Sequence, residues 1–447
     1  MWTVAQLGAD LAAGRTSSRD LVEQALARIG ERSGEGSRAF LQVNADGARA
    51  DAEQADALRK RGVRRSPVDG LPVSLKDLFD VAGEVTRAGS RVLQNSPPKP
   101  VDCPAVARLR AAGAVFIGRT NMVEFAFGGV GLNAHYGTPR NPWDRRIGRV
   151  PGGSTSGGAV AQADGMCVMA LGSDTRGSIR QPAALCGVAG FKPTARRVPR
   201  EGAFPLSTTL DSVGPLANSI RCCAAYDAIL AGEPALPLPE MPLKGLRLLL
   251  PHSSALEDLD AEVERAFQGA LRRLSEAGVV IAEVPVPAFD RQAEYFKGGG
   301  LAGAEAYHIH RPWLERLAEY DPRVGKRVLL GKDISAADYV GILELRQAFI
   351  GEVEALAAPY DAIVMPTTPC LAPAIAETEA SDDAYFRWNF RIMRNTGLFN
   401  FLDGCAATVP CHEPGAAPVG FMVGGPAMTD RRVLAVAAAV ERALSRG

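Results

Sequence analysis

Two serines in glycine-rich segments, together with a lysine upstream of them, are the residues of this chain best suited to catalysis. Ser154 and Ser178 lie 24 residues apart, and Lys76 follows a short apolar run. A serine hydroxyl is a poor nucleophile until a neighbouring base takes its proton. A lysine can be that base only when neutral, and burial would lower its pKa in the required direction. The five histidines lie in no obvious catalytic context, so the sequence predicts a serine hydrolase with a lysine base.

The segments around the two serines suggest how the proton and the developing charge would be handled. Ser154, held in a Gly-Gly-Ser turn, is suited to relay a proton from the nucleophile to the lysine. The nucleophile also needs backbone N–H groups directed at the oxygen that becomes negatively charged. A turn with successive inward-pointing amides, as in an anion-binding nest, would supply them. The candidate amides belong to Thr175, Arg176, Gly177 and Ser178.

Composition limits the kind of protein and its partners. The chain has 447 residues, of which 47% are hydrophobic and 22% charged, as in ordinary globular proteins. Its 50 basic and 50 acidic residues balance, so no nucleic-acid partner is predicted. The eight cysteines are scattered without a CxxC pair, which favours reduced thiols and a cytoplasmic protein. No stretch reaches the roughly 18 apolar residues that a membrane span needs, so no membrane association is predicted.

The elements that must position these residues alternate between strand and helix. Residues 72–75 and 115–117 read as buried strands, residues 246–250 as a central strand and residues 279–284 as another strand. Helical patterns occur over residues 45–61, 260–276 and 430–444, and Ser335 is placed to cap a helix whose apolar face continues to Leu356. Residues 287–359 are predicted to form a helical cover. This alternation favours one α/β domain over residues 1–447.

The glycine-rich region resembles the amidase signature family. Residues 172–187 read Gly-Ser-Asp-Thr-Arg-Gly-Ser-Ile-Arg-Gln-Pro-Ala-Ala-Leu-Cys-Gly, and residues 190–194 read Gly-Phe-Lys-Pro-Thr. Both segments, and the 24-residue spacing of the serines, are similar to the family's serine and glycine blocks. The resemblance is strongest within a core of about residues 65–200. Further segments similar to the family are residues 121–125, 135–137, 141–144 and 365–369.

The resemblance implies a fold, a reaction and roles for individual residues. The implied fold is an α/β/α sandwich around a large mixed, twisted sheet, and the implied reaction is cofactor-independent hydrolysis of a carboxamide. Ser178 corresponds to the acyl-enzyme nucleophile, Ser154 to a serine after a cis peptide bond, and Lys76 to the general base and acid. Thr175, Arg176, Gly177 and Ser178 correspond to the oxyanion-hole amides. Asp174 and Arg180 correspond to a supporting polar shell.

Arg176 departs from the glycine that many family members have at this position. An arginine there would be strained if its backbone needed a positive φ. Its side chain could reach the pocket and favour an anionic or carbonyl-rich substrate, or point outward into a structural ion pair. The sequence leaves both alternatives open.

Substrate choice must come from residues outside the serine and glycine blocks. The candidate pocket residues are Phe125, Phe127, Gly128, Gly129 and Phe399. The predicted substrate is a small amide, and aliphatic, aryl, ureido and carbamate compounds all remain open. A segment with Phe386, Arg387 and Trp388, followed by Arg391 and Arg394, could line a pocket or belong to an amphipathic helix.

Two other functions compete with a stand-alone amidase, and a homodimer is left open. The resemblance extends to the glutaminase (A) subunit of tRNA-dependent amidotransferases, which would bring partner subunits and contact with nucleic acid. A non-catalytic scaffold is disfavoured because all three catalytic positions are filled.

Several motifs receive a structural interpretation. The His308–His310 pair lacks carboxylate or cysteine partners at metal-ligand spacing, so no metal is predicted. Residues 151–158 lack the lysine of a phosphate-binding loop, so no nucleotide cofactor is predicted. Ser156 is expected to hydrogen-bond its own backbone, and Cys186 to be a small buried residue.

Overall fold

The strands of this chain form one mixed sheet in the computed structural model, which describes residues 2–445. Their bounds are β1 (Phe40–Val43), β2 (Pro72–Lys76), β3 (Val115–Thr120), β4 (Met169–Asp174), β5 (Ala189–Lys192), β6 (Ser212–Ala217), β7 (Arg247–His252), β8 (Val280–Pro285), β9 (Ala362–Pro366), β10 (Cys405–Pro410) and β11 (Gly420–Gly425). Across the sheet, the order is β1-β3-β2-β4-β6-β5-β10-β11-β9-β7-β8. Parallel and antiparallel pairs both occur, as in β2–β4 and β4–β6.

Helices precede, connect and follow the strands. The first group comprises α1 (Val4–Ala12), α2 (Ser18–Ile29), α3 (Gly36–Ala39), α4 (Ala45–Lys60), α5 (Pro104–Ala111), α6 (Ser156–Ala163), α7 (Arg180–Cys186) and α8 (Ile220–Ala231). The second group comprises α9 (Ala261–Glu276), α10 (Gln292–Tyr295), α11 (Gly300–His310), α12 (Pro322–Leu330), α13 (Ala336–Ala357), α14 (Ile375–Thr378), α15 (Asp382–Met393), α16 (Thr396–Phe401) and α17 (Asp430–Leu444).

The sheet is apolar on both faces, which explains why helices cover both. Successive residues of a strand point to opposite faces. In β3, Phe116 belongs to one hydrophobic cluster, whereas Val115 and Ile117 belong to another. In β7, Leu248 and Leu249 are divided between two clusters in the same way. The predicted α/β architecture, with helices packed on a large mixed sheet, is confirmed.

The segment between β8 and β9 is helical, as predicted for residues 287–359. Its longest helix, α13, begins after Ser335, whose side chain accepts a hydrogen bond from the Asp338 amide while the Asp338 carboxylate accepts one from the Ser335 amide. This reciprocal pair satisfies two N–H groups that would lack partners at a helix start. Phe349 and Val353 on the predicted face are buried and anchor the helix.

The prediction of a central strand at residues 246–250 is wrong. The strand exists as β7, but it lies next to the edge of the sheet, between β9 and the edge strand β8. An apolar run shows that a strand is covered on both faces, and says nothing about its place in the strand order. Within residues 2–445, no helix combines the length and apolar character needed to cross a membrane.

Candidate active site

Lys76 is the last residue of β2 and lies beside the end of β4. These two strands are parallel, so their carboxyl ends meet at the same edge of the sheet. The Lys76 Nζ donates hydrogen bonds to Ser154 Oγ at 2.8 Å and to Ser173 Oγ at 2.9 Å. The structure therefore brings two of the predicted residues together and adds Ser173, which sequence reasoning missed.

The surroundings of Lys76 favour its neutral form. Its side chain is fully buried, and this burial lowers the pKa of the lysine to about 7. The negative charges of Asp174 and Asp211 act in the opposite direction and only partly offset the desolvation. The lowered pKa favours the uncharged form of Lys76, which is the form that can accept a proton.

Backbone hydrogen bonds fix the position of Ser154. The peptide bond between Gly153 and Ser154 is cis, as the resemblance implies. The Gly153 amide donates to the Gly129 carbonyl at 2.8 Å, and the Val123 amide donates to the Ser154 carbonyl at 3.1 Å. These contacts attach the Ser154 segment to residues 123–129, which contain four of the five predicted pocket residues.

The segment carrying Ser178 lies directly against the Ser154 segment. The Thr155 amide donates to the Ser178 carbonyl at 3.3 Å. Ser178 is 6% exposed, whereas Ser154 and Lys76 are fully buried. Ser178 is therefore the member of the predicted triad with access from outside.

A buried ion pair organises the turn before Ser178. Arg180 donates to Asp174 through Nε at 3.1 Å and through Nη2 at 3.0 Å, and both side chains are fully buried. Burial alone would raise the pKa of Asp174, but the charge and hydrogen bonds of Arg180 outweigh it and hold the pKa at about 2. The Asp174 carboxylate also accepts from the amides of Gly177 at 2.7 Å and Ile179 at 3.1 Å.

The four predicted oxyanion-hole amides are not equally available to donate a hydrogen bond to a substrate. The Gly177 amide is already a donor to Asp174. Among the described residues, the amides of Thr175, Arg176 and Ser178 donate no hydrogen bond. Gly177 has a φ of 118°, a conformation that favours glycine, whereas Arg176 is absent from the residues with positive φ. The anticipated strain at Arg176 does not arise.

The alternative that Arg176 points outward into an ion pair is wrong. Its side chain is buried, and no carboxylate among residues 2–445 lies within 4.0 Å of its guanidinium. The guanidinium carbon lies 3.6 Å from the ring centroid of Phe296, in the helical cover. Arg176 and Phe296 both line a cavity of about 590 Å³.

The five predicted pocket residues lie in three different surroundings. Phe127, Gly128 and Gly129 lie next to the Ser154 segment, and the Phe127 ring carries the Arg327 guanidinium 4.3 Å from its centroid. Phe125 packs in an aromatic cluster with Phe204, His310 and Tyr320.

Phe399 belongs to the hydrophobic core. A Cβ at Gly424 would lie 2.2 Å from its ring, so the ring packs directly against that backbone. Phe399 thus anchors α16, and its role as a pocket residue stays a prediction.

Helix α16 holds the turn before Ser178, residues 174–177, through contacts that no sequence signal indicated. The Thr396 hydroxyl and the Gln181 amide group each donate to the Arg176 carbonyl at 2.7 Å. The Asn400 side chain donates to Asp174 Oδ1 at 2.9 Å. The two α16 residues are separated from the turn by more than 200 residues along the chain, so short-range motifs could not reveal them.

The remaining motifs have structural surroundings. His310 is buried and its Nδ1 lies 2.9 Å from the Tyr320 hydroxyl, and within residues 2–445 there is no His, Cys, Asp and Glu cluster that could hold a metal ion. Cys186 is buried, as expected, and its Sγ donates to the Pro151 carbonyl. The expectation for Ser156 is wrong, because its buried hydroxyl has no hydrogen-bond partner among the described residues.

The chain is similar to known proteins over most of its length. The family model described as Amidase matches residues 20–434. The chain is 35% identical over 410 residues to 2-amino-5-chloromuconic acid deaminase of Comamonas testosteroni, covering 90% of this chain and 88% of the relative. It is 37% identical over 379 residues to the AtzE subunit of 1-carboxybiuret hydrolase from Pseudomonas sp. strain ADP, covering 82% and 81%.

Other relatives match over nearly the whole chain. The A subunit of glutamyl-tRNA(Gln) amidotransferase from Roseiflexus castenholzii is 34% identical over 475 residues, covering 98% of this chain and 95% of the relative. A crystal structure of an amidase superposes with a TM-score of 0.89 at 33% identity, covering 99% of this chain and all of the other. The chain therefore belongs to the amidase signature family and is a hydrolase of amide C–N bonds.

Proposed function

We propose that this chain hydrolyses a small carboxamide through an acyl-enzyme on Ser178, with Lys76 as general base and Ser154 as proton relay. The observation that carries the proposal is the buried Lys76, whose Nζ lies 2.8 Å from Ser154 Oγ and whose pKa burial lowers to about 7. A neutral lysine can take a proton from Ser154, which in turn takes one from Ser178.

Each proton and bond of the reaction then has a place. Ser178 Oγ attacks the amide carbon, and its proton passes through Ser154 to Lys76. The carbonyl oxygen becomes negatively charged and accepts hydrogen bonds from backbone amides. Collapse breaks the C–N bond, and the proton held by Lys76 returns through Ser154 to the leaving ammonia or amine. Water then attacks the ester carbon while its proton passes through Ser154 to Lys76. The bond between this carbon and Ser178 Oγ breaks, the proton returns through Ser154 to Ser178 Oγ, and the carboxylate leaves.

The oxyanion amides can be proposed more narrowly than the sequence allowed. The amides of Thr175, Arg176 and Ser178 are free to donate, whereas Gly177 donates to Asp174. We assign the first three to the developing oxyanion and Gly177 to holding the turn. Asp174 and Arg180 then act as the supporting shell, because they fix the conformation that directs these amides.

The test is release of ammonia by the purified chain from a panel of aliphatic amides, aryl amides, ureido compounds and carbamates, with glutamine included. We expect hydrolysis of at least one member by the chain alone. Ser178→Ala should abolish it, and Ser154→Ala and Lys76→Ala should each lower kcat by several orders of magnitude. Near-normal turnover by Ser178→Ala or Lys76→Ala would contradict the mechanism.

The second candidate is the glutaminase subunit of a tRNA-dependent amidotransferase. It is favoured by the match to the A subunit of glutamyl-tRNA(Gln) amidotransferase over 98% of this chain. Such a subunit would need partner chains and would work beside tRNA. Activity on glutamine alone, appearing only with partner subunits, would support it. Turnover of other amides by the isolated chain would favour the first candidate.

The single-domain organisation, the cytoplasmic location and a homodimer remain predictions.

A further inference from the structure

Buried arginines in this protein usually face a carboxylate. Five arginines are less than a tenth exposed in the described part of the chain, and three of them have a carboxylate oxygen within 4.0 Å: Arg119, Arg180 and Arg346. Arg176 and Arg327 are the two exceptions, because neither has a carboxylate within 4.0 Å among residues 2–445. Arg176 Nε and Arg327 Nη1 are also buried without a hydrogen-bond partner in this part of the chain, as is Arg119 Nη1. An uncompensated buried charge is costly, so its presence calls for a partner outside the described residues.

The Arg176 guanidinium is held in place without being neutralised. Its carbon lies 3.6 Å from the Phe296 ring centroid. On α16, a Cβ at Gly397 would lie 3.3 Å from Arg176 Nε, so glycine leaves room for the guanidinium there. Stacking on an aromatic ring orders an arginine while its N–H groups stay free to donate. Such an arrangement is suited to bidentate binding of a carboxylate.

The cavity beside Arg176 has a basic lining. Besides Arg176 and Phe296, three further arginines line it. Arg387 and Arg391 lie in α15, and Arg394 directly follows this helix. The carboxylate among its lining residues is Asp258, which lies 3.5 Å from Arg391. Arg391 also pairs with Asp260 at 2.9 Å, whereas Arg176, Arg387 and Arg394 have no carboxylate within 4.0 Å among residues 2–445. These three cations would attract an anion to the cavity.

Arg327 adds a second buried cation to the same region. It stacks on Phe127, within the segment that holds Ser154 in position. Burial lowers the pKa of Arg176 to about 9, and the charge of Arg327 acts in the same direction, as expected for two nearby cations. A negative group between or beside the two guanidinium groups would offset the cost of burying them and reduce their mutual repulsion.

We propose that Arg176, two residues before Ser178, binds a carboxylate of the substrate, with Arg327 as a second cation nearby. The substrate class is then an acyclic amide that carries a negative charge a few bonds from the scissile carbonyl. This inference rests on the proposed amide hydrolysis, and it adds a specificity-determining residue to it.

The test compares charged and neutral substrates of the same shape. Monoamides of malonic, succinic, glutaric and adipic acid each carry one carboxylate, and the corresponding diamides replace it by a neutral carboxamide. The quantity measured is the ratio of kcat/KM for the acid to kcat/KM for the diamide. The diamide value is first divided by two, because a diamide has two equivalent amides. We expect this ratio to exceed about 10 for one of the four acids. The chain length of that acid then reports the distance from Arg176 to the reacting carbon.

Arg176→Met keeps a long side chain against Phe296 and removes the charge. We expect it to lower the acid-to-diamide ratio about 10- to 100-fold, and Arg176→Lys to restore part of it. Arg265→Met, at an exposed position of α9, is the control and should leave the ratio unchanged. An equal loss of both rates in Arg176→Met, or a wild-type preference for diamides, would overturn the proposal.

A binding measurement separates failure of this inference from failure of the proposed function. Calorimetric titration of Ser178→Ala with the same acids and diamides needs no turnover. Preferential binding of an acid, lost on adding Arg176→Met, would support the inference even if the wild-type chain hydrolysed nothing. Turnover of the diamides without acid preference would overturn the inference and leave the amidase proposal standing. The inference would also be overturned if no acid were bound and no acid were hydrolysed.

Discussion

The Nζ of Lys76 lies 2.9 Å from Oγ of Ser173, the residue just before the final position of β4. This contact gives the lysine a second hydroxyl partner in a fully buried environment. A neutral amine in such a place needs a fixed orientation, because its lone pair must face Ser154 for proton transfer. We infer that Ser173 is a positioning residue for Lys76.

Ser173→Ala should therefore lower kcat about 10- to 100-fold with little change in KM, since a misoriented base affects the chemical step. Steady-state kinetics on any substrate of the wild-type chain measures this. Ser173→Thr, which retains the hydroxyl, should recover most of the activity. An alanine variant with a wild-type kcat, or a threonine variant as poor as alanine, would contradict the assignment.

The pH dependence of activity should follow Lys76. Burial lowers its pKa to about 7, and the neutral lysine is the proposed base. The value of kcat/KM should therefore rise with pH and level off above an apparent pKa near 7 in the free enzyme. A profile that is flat from about pH 5.5 to about pH 9, or that falls across this interval, would show that another group is the base.

The same shift predicts how stability changes with pH. Lys76 binds a proton less readily in the folded chain than in the unfolded one, whose lysine titrates near pH 10.4. Stability linked to this group therefore increases as the pH rises from about 7 to about 10. Lys76→Met should raise the Tm most at or below pH 7, with a gain that shrinks toward pH 10. Equal gains at pH 6 and pH 10 would contradict this linkage.

Lys76, Ser154 and Ser178 could be proposed as catalytic residues from the sequence because each lies in a short segment with a chemical requirement. Lys76 ends an apolar strand, and the two serines occupy glycine-rich turns where regular helix is disfavoured. The α/β alternation and the helical cover could be predicted for the same reason, since periodicity and capping are local properties. Local signals of this kind indicate the start of α13 at Ser335.

What the sequence could not indicate depends on contacts between distant segments. The place of β7 in the sheet follows from which strands pair, and an apolar pentapeptide fits many positions. Phe296 and Asn400 contact the turn before Ser178, and Arg327 stacks on Phe127, only because the fold brings distant segments together. The sequence also contained no sign that the Phe399 ring, a predicted pocket residue, packs against Gly424.

Asp174→Asn should damage both stability and activity. It leaves the buried Arg180 without a counter-charge and weakens the acceptor for the Gly177 and Ile179 amides. Breaking a buried ion pair by removing one partner typically costs about 3–5 kcal/mol. Urea unfolding measures this loss, and labelling by a serine-directed phosphonate should slow in the same variant. Glu262→Gln, in the exposed pair with Arg265, should change stability by less than about 0.5 kcal/mol.

Gly177→Ala should abolish activity through backbone geometry alone. Its φ of 118° is unfavourable for any residue with a Cβ, and that Cβ would lie 2.1 Å from Thr396 Oγ1 and 2.3 Å from Gln181 Nε2. Either the turn or the side chains of Thr396 and Gln181 must move. These two side chains donate to the Arg176 carbonyl and so hold the neighbouring amides in place. Because oxyanion donors must lie within a few tenths of an ångström of their positions, we expect kcat to fall by at least about 100-fold.

Gly341→Ala is the matched control for that substitution. Gly341 lies within α13, where a Cβ would meet nothing within 4 Å. Alanine is favoured over glycine inside a helix by about 1 kcal/mol, so this variant should be slightly more stable and fully active. If Gly177→Ala retained wild-type kcat while Gly341→Ala behaved as expected, the turn before Ser178 would not need its observed conformation. The assignment of the Thr175, Arg176 and Ser178 amides to the oxyanion would then be wrong.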